Sequence, residues 1–161
     1  MTEPPAFGPA AASPGPAPHL HLGRLLGHAM RRFDERVLQL MAASEQAPLA
    51  LANLAARDKV GAAHIHITRH LPLGGARLTE LAAWAGIAKQ SMGDLVDQCE
   101  AWGLVAREPD PRDARARRIV FTPTGLDWLA AFRDAVAQAE AEFRAAVGDE
   151  VATVVALGLE A

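Results

Sequence analysis

Apolar residues recur at helical spacing in two long stretches of the chain. The first stretch, at 20–44, places Leu26, Met30, Phe33, Val37 and Leu40 in a single seam of 4-3-4-3 spacing. The second follows Pro123, breaks at Gly148 and carries the seam Leu129, Phe132, Val136, Ala139, Phe143 and Ala146. Spacings of three and four residues keep side chains on one helix face. The pattern predicts long amphipathic helices over 20–44 and 123–161.

Between these stretches the pattern changes to short elements separated by turn residues. Thr79 is a plausible N-cap, Gly86 and Gly103 are helix stops, and Thr122 can cap a helix whose first residue is Pro123. The predicted elements are helices at 49–56, 61–71, 80–85 and 88–102, then strands at 104–107 and 118–122 joined by a polar loop at 109–117.

Composition sets the domain organisation. Half of the 161 residues are apolar and 22% are charged, which suits one globular domain. Residues 1–18 hold 6 of the 11 prolines and few large apolar groups, so we expect a disordered tail followed by a single domain at 19–161. The sequence contains no apolar run long enough to span a membrane, and its lone cysteine suits a reducing compartment. We therefore expect a cytoplasmic protein without membrane contact.

The order helix, turn, helix, strand, loop, strand predicts a fold class. It is typical of a mainly α, winged helix-turn-helix protein, with the winged part at 77–122, a small β-hairpin wing, and long dimerisation helices at 20–44 and 123–161. In such a fold the second helix presents its N-terminal residues to the major groove of DNA. Here Lys89, Gln90, Gly93, Asp94 and Asp97 lie opposite the apolar face of that helix.

These side chains suit DNA recognition to different degrees. Lys89 can contact phosphate or guanine, and Gln90 can pair with adenine. Gly93 lets the backbone approach closely. Asp94 and Asp97 could each accept a hydrogen bond from a cytosine amino group, although either carboxylate would repel phosphate. The wing carries a basic cluster from Arg112 to Arg118, although residues 77–122 as a whole hold 7 basic and 7 acidic side chains.

The chain resembles the MarR family of bacterial transcriptional regulators. The resemblance rests on Leu78-Thr79-Glu80-Leu81-Ala82, on 89–97 and on Gly103-Leu104-Val105, but most of all on the wing Pro109-Asp110-Pro111-Arg112-Asp113-Ala114-Arg115 with its exit Phe121-Thr122-Pro123-Thr124-Gly125. It implies that Arg115 enters the minor groove while Asp113 orients its guanidinium. The residues expected to contact DNA are Thr79, Lys89, Gln90, Ser91, Gly93, Asp94, Arg112, Asp113, Arg115 and Arg117.

The resemblance also implies partners. We expect a homodimeric repressor that binds a double-stranded DNA operator, with no metal and no cofactor. Many such regulators release DNA when a small aromatic or phenolic acid binds between the dimer helices and the winged part. The polar candidates for that cleft are His28, Arg32, His66 and Arg69. The segment at 45–60 is an addition to the family pattern, and Ala88 stands where a Ser or Thr usually caps the recognition helix.

Other interpretations remain open at this point. His66 and His70 share a helix face, as zinc ligands would, but no cysteine or acidic cluster lies nearby in the sequence. No phosphate loop or hydrolase motif supports an enzyme. A winged-helix module that binds protein and not DNA is the main alternative. We expect Cys99, Trp84 and Trp102 to pack in the core, and Trp128 to line the dimer region.

Overall fold

The computed structural model describes residues 21–57 and 59–160, so the tail predicted at 1–18 lies outside the described residues. The described part is mainly helical with one β-hairpin, which confirms the predicted fold class. Its elements are α1 (Leu22–Ala43), α2 (Leu49–Ala56), α3 (Ala62–His70), α4 (Leu78–Ala85), α5 (Lys89–Ala101), β1 (Val105–Asp110), β2 (Asp113–Phe121), α6 (Pro123–Val147) and α7 (Asp149–Glu160).

The helix α6 begins as the sequence predicts. Thr122 Oγ1 accepts a hydrogen bond from the Gly125 N–H at 3.0 Å, and Pro123 occupies the first helical position, where no N–H is needed. The helix packs against α1, and an ion pair between Arg36 and Glu142 joins the two helices. Local capping chemistry therefore sets the start of α6, and tertiary packing sets its partner.

The core lies where α2, α3 and α5 meet the first half of α6. Fully buried side chains such as Leu51, Ile65 and Val96 fill it. Trp128 is also buried there, and its Nε1 donates to Thr68 Oγ1 at 3.2 Å. The expectation that Trp128 lines the dimer region is therefore wrong, because the indole N–H finds its partner inside the chain.

The wing is longer and more regular than the sequence predicts. β1 and β2 pair antiparallel, with Val105 opposite Phe121 and Pro109 opposite Arg117, and only two residues separate the strands. The polar loop predicted at 109–117 is therefore mostly strand. The hairpin extends past the core, so its outer half needs no apolar side chains and shows no strand-like alternation in the sequence.

A short third segment completes the base of this sheet. Ala76 pairs with Ile119 through two backbone hydrogen bonds of 3.0 and 2.7 Å. The preceding Gly75 has φ +78°, and a Cβ at this position would lie 2.7 Å from the Ile119 carbonyl oxygen. Only glycine fits both the backbone conformation and the close approach.

Thr79 does not cap α4. The helix begins one residue earlier, at Leu78, and Arg77 is the N-cap residue. The Glu80 carboxylate accepts the Arg77 backbone N–H at 2.8 Å. The prediction failed because this cap uses a backbone N–H, which every residue except proline provides, and so leaves no mark on the N-cap side chain.

Candidate nucleic-acid interface

The helices α4 and α5 form a helix-turn-helix. Gly86 ends α4 in the left-handed region, with φ +66°, and reverses the chain toward α5. Leu81 on α4 and Met92 on α5 are fully buried and lie in the common core. This packing leaves the first turn of α5 at the surface.

The predicted recognition residues share that surface. Lys89, Gln90, Ser91 and Asp94 are exposed, and Gly93 is half-buried. The N-cap residue Ala88 makes no side-chain hydrogen bond to the helix start, so its side chain satisfies none of the first N–H groups of α5. Such a helix end favours an anion such as a backbone phosphate.

Asp97, the second acidic residue on the exposed face of α5, forms an ion pair with the wing. Arg107 on β1 donates from Nη2 to Asp97 Oδ1 at 2.5 Å, and its Nη1 contacts the Glu100 carboxylate. One guanidinium thus offsets two acids in the second half of α5 and ties the helix to the first wing strand. The negative charge of Asp97, which would repel a DNA phosphate, is therefore partly compensated within the chain.

Arginines project from the outer half of the wing. Arg112, Arg115 and Arg117 are exposed, whereas Arg118 donates to the Gly74 carbonyl oxygen at 3.1 Å and lies 3.5 Å from the Glu108 carboxylate. A planar cation on a protruding hairpin can enter a narrow minor groove, whose negative potential attracts it. The wing has the charge and reach for this contact.

Asp113 does not hold the Arg115 guanidinium as the resemblance implies. Its Oδ1 accepts the Arg115 backbone N–H at 3.1 Å, and its Oδ2 lies 3.8 Å from Arg77 Nη2. Asp113 therefore stabilises the backbone at the wing tip, and the guanidinium that it faces belongs to Arg77 and not to Arg115. The sequence could not show this, because Arg77 and Asp113 are far apart along the chain.

Arg77 is a residue of the site that sequence reasoning missed. Its Nε donates to Asp110 Oδ2 at 2.6 Å, and Asp110 is buried at the end of β1. The Arg112 backbone N–H and the Arg77 side chain both donate to Asp110 and lower the pKa of its carboxyl. No spacing rule links these positions, so the sequence carried no signal for the contact.

The predicted ligand residues are only partly brought together. Arg69 on α3 donates to Asp34 on α1 at 2.6 Å, and the Asp34 carboxylate is buried. His28 is exposed, while His66 is half-buried and stacks on His70 with ring centroids 6.0 Å apart. The pair Asp34–Arg69 joins α1 and α3, the two helices that carry the four candidate residues.

One small cavity lies on the opposite side of α3. It encloses about 10 Å³, which is room for about one water molecule. None of the four predicted ligand residues is among its lining residues, which are Leu51, Val60, His64, Ile65, Thr68, Cys99, Trp102, Leu104 and Trp128.

Two other expectations concern the core. Cys99 is fully buried, as predicted, and desolvation raises the pKa of its thiol to about 12. Trp102 is half-buried against the His64 ring at 4.8 Å, but Trp84 is 53% exposed, so its predicted core position is wrong. Trp84 lies on a face of α4 that α3 and α5 leave uncovered.

Two candidate features are not found in the described parts of the chain. Residues 21–57 and 59–160 contain no group of three or more His, Cys, Asp and Glu side chains placed to hold a metal ion. None of the helices in these ranges combines the length and the apolar character needed to cross a membrane.

The winged helix-turn-helix architecture is shared with known proteins. Residues 65–116 match the model of the MarR family, which confirms the resemblance seen in the sequence. The matched segment covers most of α3, the helix-turn-helix and most of the wing. Comparison with curated protein sequences gave no match.

Solved structures show the same fold. The transcriptional repressor CouR, bound to a 23-mer DNA duplex, is 23% identical with a TM-score of 0.65 over 87% of this chain and 90% of that one. Wild-type MarR from E. coli is 20% identical, with a TM-score of 0.65 over 88% and 96%. The transcriptional regulator BldR from Sulfolobus solfataricus is 18% identical, with a TM-score of 0.60 over 86% and 89%.

Proposed function

We propose that this protein is a sequence-specific double-stranded-DNA-binding transcriptional regulator that acts as a homodimeric repressor. The observation that carries the proposal is that the exposed start of α5 and the exposed arginines of the wing belong to elements that pack against each other. Arg107 links β1 to α5, so the two surfaces are held together. CouR, which has this fold, is a repressor bound to a DNA duplex.

Within this proposal, α5 reads the major groove and the wing reads the minor groove. Lys89 and Gln90 contact phosphate and base edges, with Thr79 and Ser91 beside them. Arg112, Arg115 and Arg117 contact the minor groove and its phosphates, where the potential is most negative. Asp94 and Asp113 set specificity and wing shape rather than affinity, because carboxylates are repelled by phosphate.

The dimer is supported by exposed apolar surface at both ends of the described chain. Thirteen large hydrophobic side chains are exposed in residues 21–57 and 59–160, and nine of them lie on the first half of α1 or on α7. Exposed apolar surface of this kind favours association. The nine are Leu22, Leu25, Leu26, Met30, Val151, Val154, Val155, Leu157 and Leu159.

Selection of bound sequences from a random duplex pool, followed by titration of the selected duplex, tests the function. We expect a pseudo-palindrome with half-sites about 10 bp apart and a solution mass of two chains. Arg115→Ala should cost about 1–3 kcal/mol of binding, and Lys89→Ala should weaken binding and flatten its salt dependence. Arg133→Ala, an exposed arginine on α6, is the matched control and should leave binding unchanged.

A single-chain mass together with no enrichment of any duplex would overturn the proposal. Retention of full affinity by both Lys89→Ala and Arg115→Ala would contradict the assignment of the two grooves. A single-chain mass without duplex enrichment would support the alternative function, a winged-helix module that binds protein.

We also propose that a small anionic ligand, such as a phenolic acid, releases the DNA. The contact between Asp34 and Arg69 supports this, because an incoming carboxylate can compete with Asp34 for the guanidinium and shift α3 relative to α1. A 100-fold loss of DNA affinity needs about 2.7 kcal/mol of differential binding. Calorimetry and operator release against a panel of phenolic acids, with Arg32→Ala, His66→Ala and Arg69→Ala, test this step. If no phenolic acid in the panel binds the protein or releases the operator, the proposed ligand control is wrong.

A further inference from the structure

Arg77 joins two parts of the molecule that the sequence keeps apart. It is the residue immediately before α4, and its Nε donates to Asp110 Oδ2 at 2.6 Å across 33 positions of the chain. Asp110 is 8% exposed, although it ends a strand of the protruding hairpin. The guanidinium therefore covers a carboxylate at the tip of the wing.

Asp110 in turn fixes the turn between the strands. Its second oxygen accepts the Arg112 backbone N–H at 2.9 Å, and the pairing register shifts between Pro109 and Asp110. Arg77 Nη2 also lies 3.8 Å from Asp113 Oδ2 on the other strand. One arginine thus faces both carboxylates that flank the turn.

The base and the tip of the hairpin are anchored separately. The base pairs with Ala76 through Ile119, and Arg118 bonds to the Gly74 carbonyl oxygen. The tip extends beyond these contacts, and a two-stranded hairpin alone is only marginally stable in water. The contact with Arg77 is therefore an additional anchor for the part of the hairpin that carries the outer arginines.

We propose that Arg77 is a positioning residue that holds the wing tip against the start of α4 in the orientation that DNA requires. The inference rests on the proposed DNA binding. It assigns to Arg77 a role exerted through Asp110, whereas a direct phosphate contact would need no partner within the chain. The helix-turn-helix and the wing then meet DNA as one unit, because two ion pairs join them. Arg77 links the start of α4 to Asp110 at the wing tip, and Arg107 links β1 to Asp97 on α5.

A double-mutant cycle in the full chain tests this role on the selected duplex. Arg77→Ala and Asp110→Asn should each raise Kd about tenfold, and the double variant should be no weaker than either single one, since all three lose the same link. Hydroxyl-radical footprints should lose protection at the wing sites and keep it at the α5 sites. Arg133→Ala is again the control and matches the charge change of Arg77→Ala.

A second measurement needs no DNA. Hydrogen exchange of the free protein should show faster exchange of the β1 and β2 amides near the tip in Arg77→Ala, with the α5 amides unchanged. If the wild-type chain binds no duplex but this exchange pattern appears, the proposed function fails and the positioning of the wing stands.

Three outcomes would overturn the inference. Unchanged tip exchange in Arg77→Ala would show that the contact does not hold the wing. A normal Kd for Arg77→Ala would show that the wing angle does not matter for binding. Additive losses, or a loss for Arg77→Ala that Asp110→Asn does not share, would identify Arg77 as a phosphate contact instead.

Discussion

Gly125 lies so close to Leu104 that a Cβ on the glycine would stand 1.9 Å from the Leu104 carbonyl oxygen. The contact packs the first turn of α6 against the start of the wing, and it explains why a glycine ends the run Thr122-Pro123-Thr124-Gly125. The motif combines a helix cap with a close approach of two backbones.

We expect Gly125→Ala to destabilise the protein by about 3 kcal/mol, because a backbone oxygen cannot move aside as a flexible side chain can. Gly158→Ala is the matched control, since nothing lies within 4 Å of a Cβ there, and it should stabilise α7 by about 0.5–1 kcal/mol. Urea unfolding followed by circular dichroism measures both. Equal midpoints for Gly125→Ala and wild type would disprove the contact.

Arg36 and Glu142 make the stability depend on pH. Arg36 donates from Nε and Nη2 to the two carboxylate oxygens at 2.7 and 2.9 Å, and these bonds lower the pKa of Glu142. A carboxyl with a lowered pKa stabilises the fold above its unfolded pKa, here near 4.5, and loses that contribution as pH falls through the folded value.

Glu142→Gln should therefore lower the free energy of unfolding by roughly 0.5–1 kcal/mol at pH 7. The gap to wild type should close as pH falls below about 4.5. Urea titrations at several pH values measure it, with Glu140→Gln, an exposed acid on the same helix, as the control. A gap that stays constant down to pH 3 would contradict the ion pair as its source.

Cys99 should be inert in the folded protein. Burial raises the pKa of its thiol to about 12, so almost no thiolate forms at neutral pH, and the thiolate is the reactive species. We expect a disulfide reagent such as Ellman's reagent to modify Cys99 at the rate of unfolding, and rapidly once urea is added. Fast modification of the native protein would show that the thiol is accessible.

A substitution at Gly93 should change protein stability and DNA affinity in opposite directions. It lies inside α5, and a Cβ there would meet Leu78 Cδ2 at 3.7 Å, an ordinary contact. The fold does not require glycine, so Gly93→Ala should stabilise the helix by about 0.5–1 kcal/mol. If close approach to DNA requires the glycine, the same variant should bind the selected duplex more weakly. Higher stability with unchanged affinity would contradict its place in the groove.

Several local features could be predicted from the sequence because they depend on neighbours along the chain. The cap at Thr122, the stops at Gly86 and Gly103, and the buried face of α5 that includes Met92 follow from local sequence signals, and the structure has them all. The surface position of Lys89 and Gln90 follows from the same helical periodicity.

Features that depend on distant contacts could not be predicted in this way. The large apolar side chain of Trp84 favours burial, yet no neighbouring element covers it in the described part of the chain, and it is exposed. The outer halves of the two wing strands show no alternation of apolar and polar residues, because backbone pairing and not burial holds them together. The resemblance implies that Asp113 orients the guanidinium of Arg115, two residues away, but its carboxylate meets the Arg115 backbone and Arg77.

The order of the elements, the fold class and the helix face expected to meet DNA follow from the sequence alone, since periodicity, caps and turn glycines act over a few residues. The ion pairs, in contrast, follow from the folded chain. Arg107 with Asp97, Arg77 with Asp110, and Arg69 with Asp34 join residues from different elements. Ion pairing depends on distance in space, which chain folding sets and local sequence does not encode.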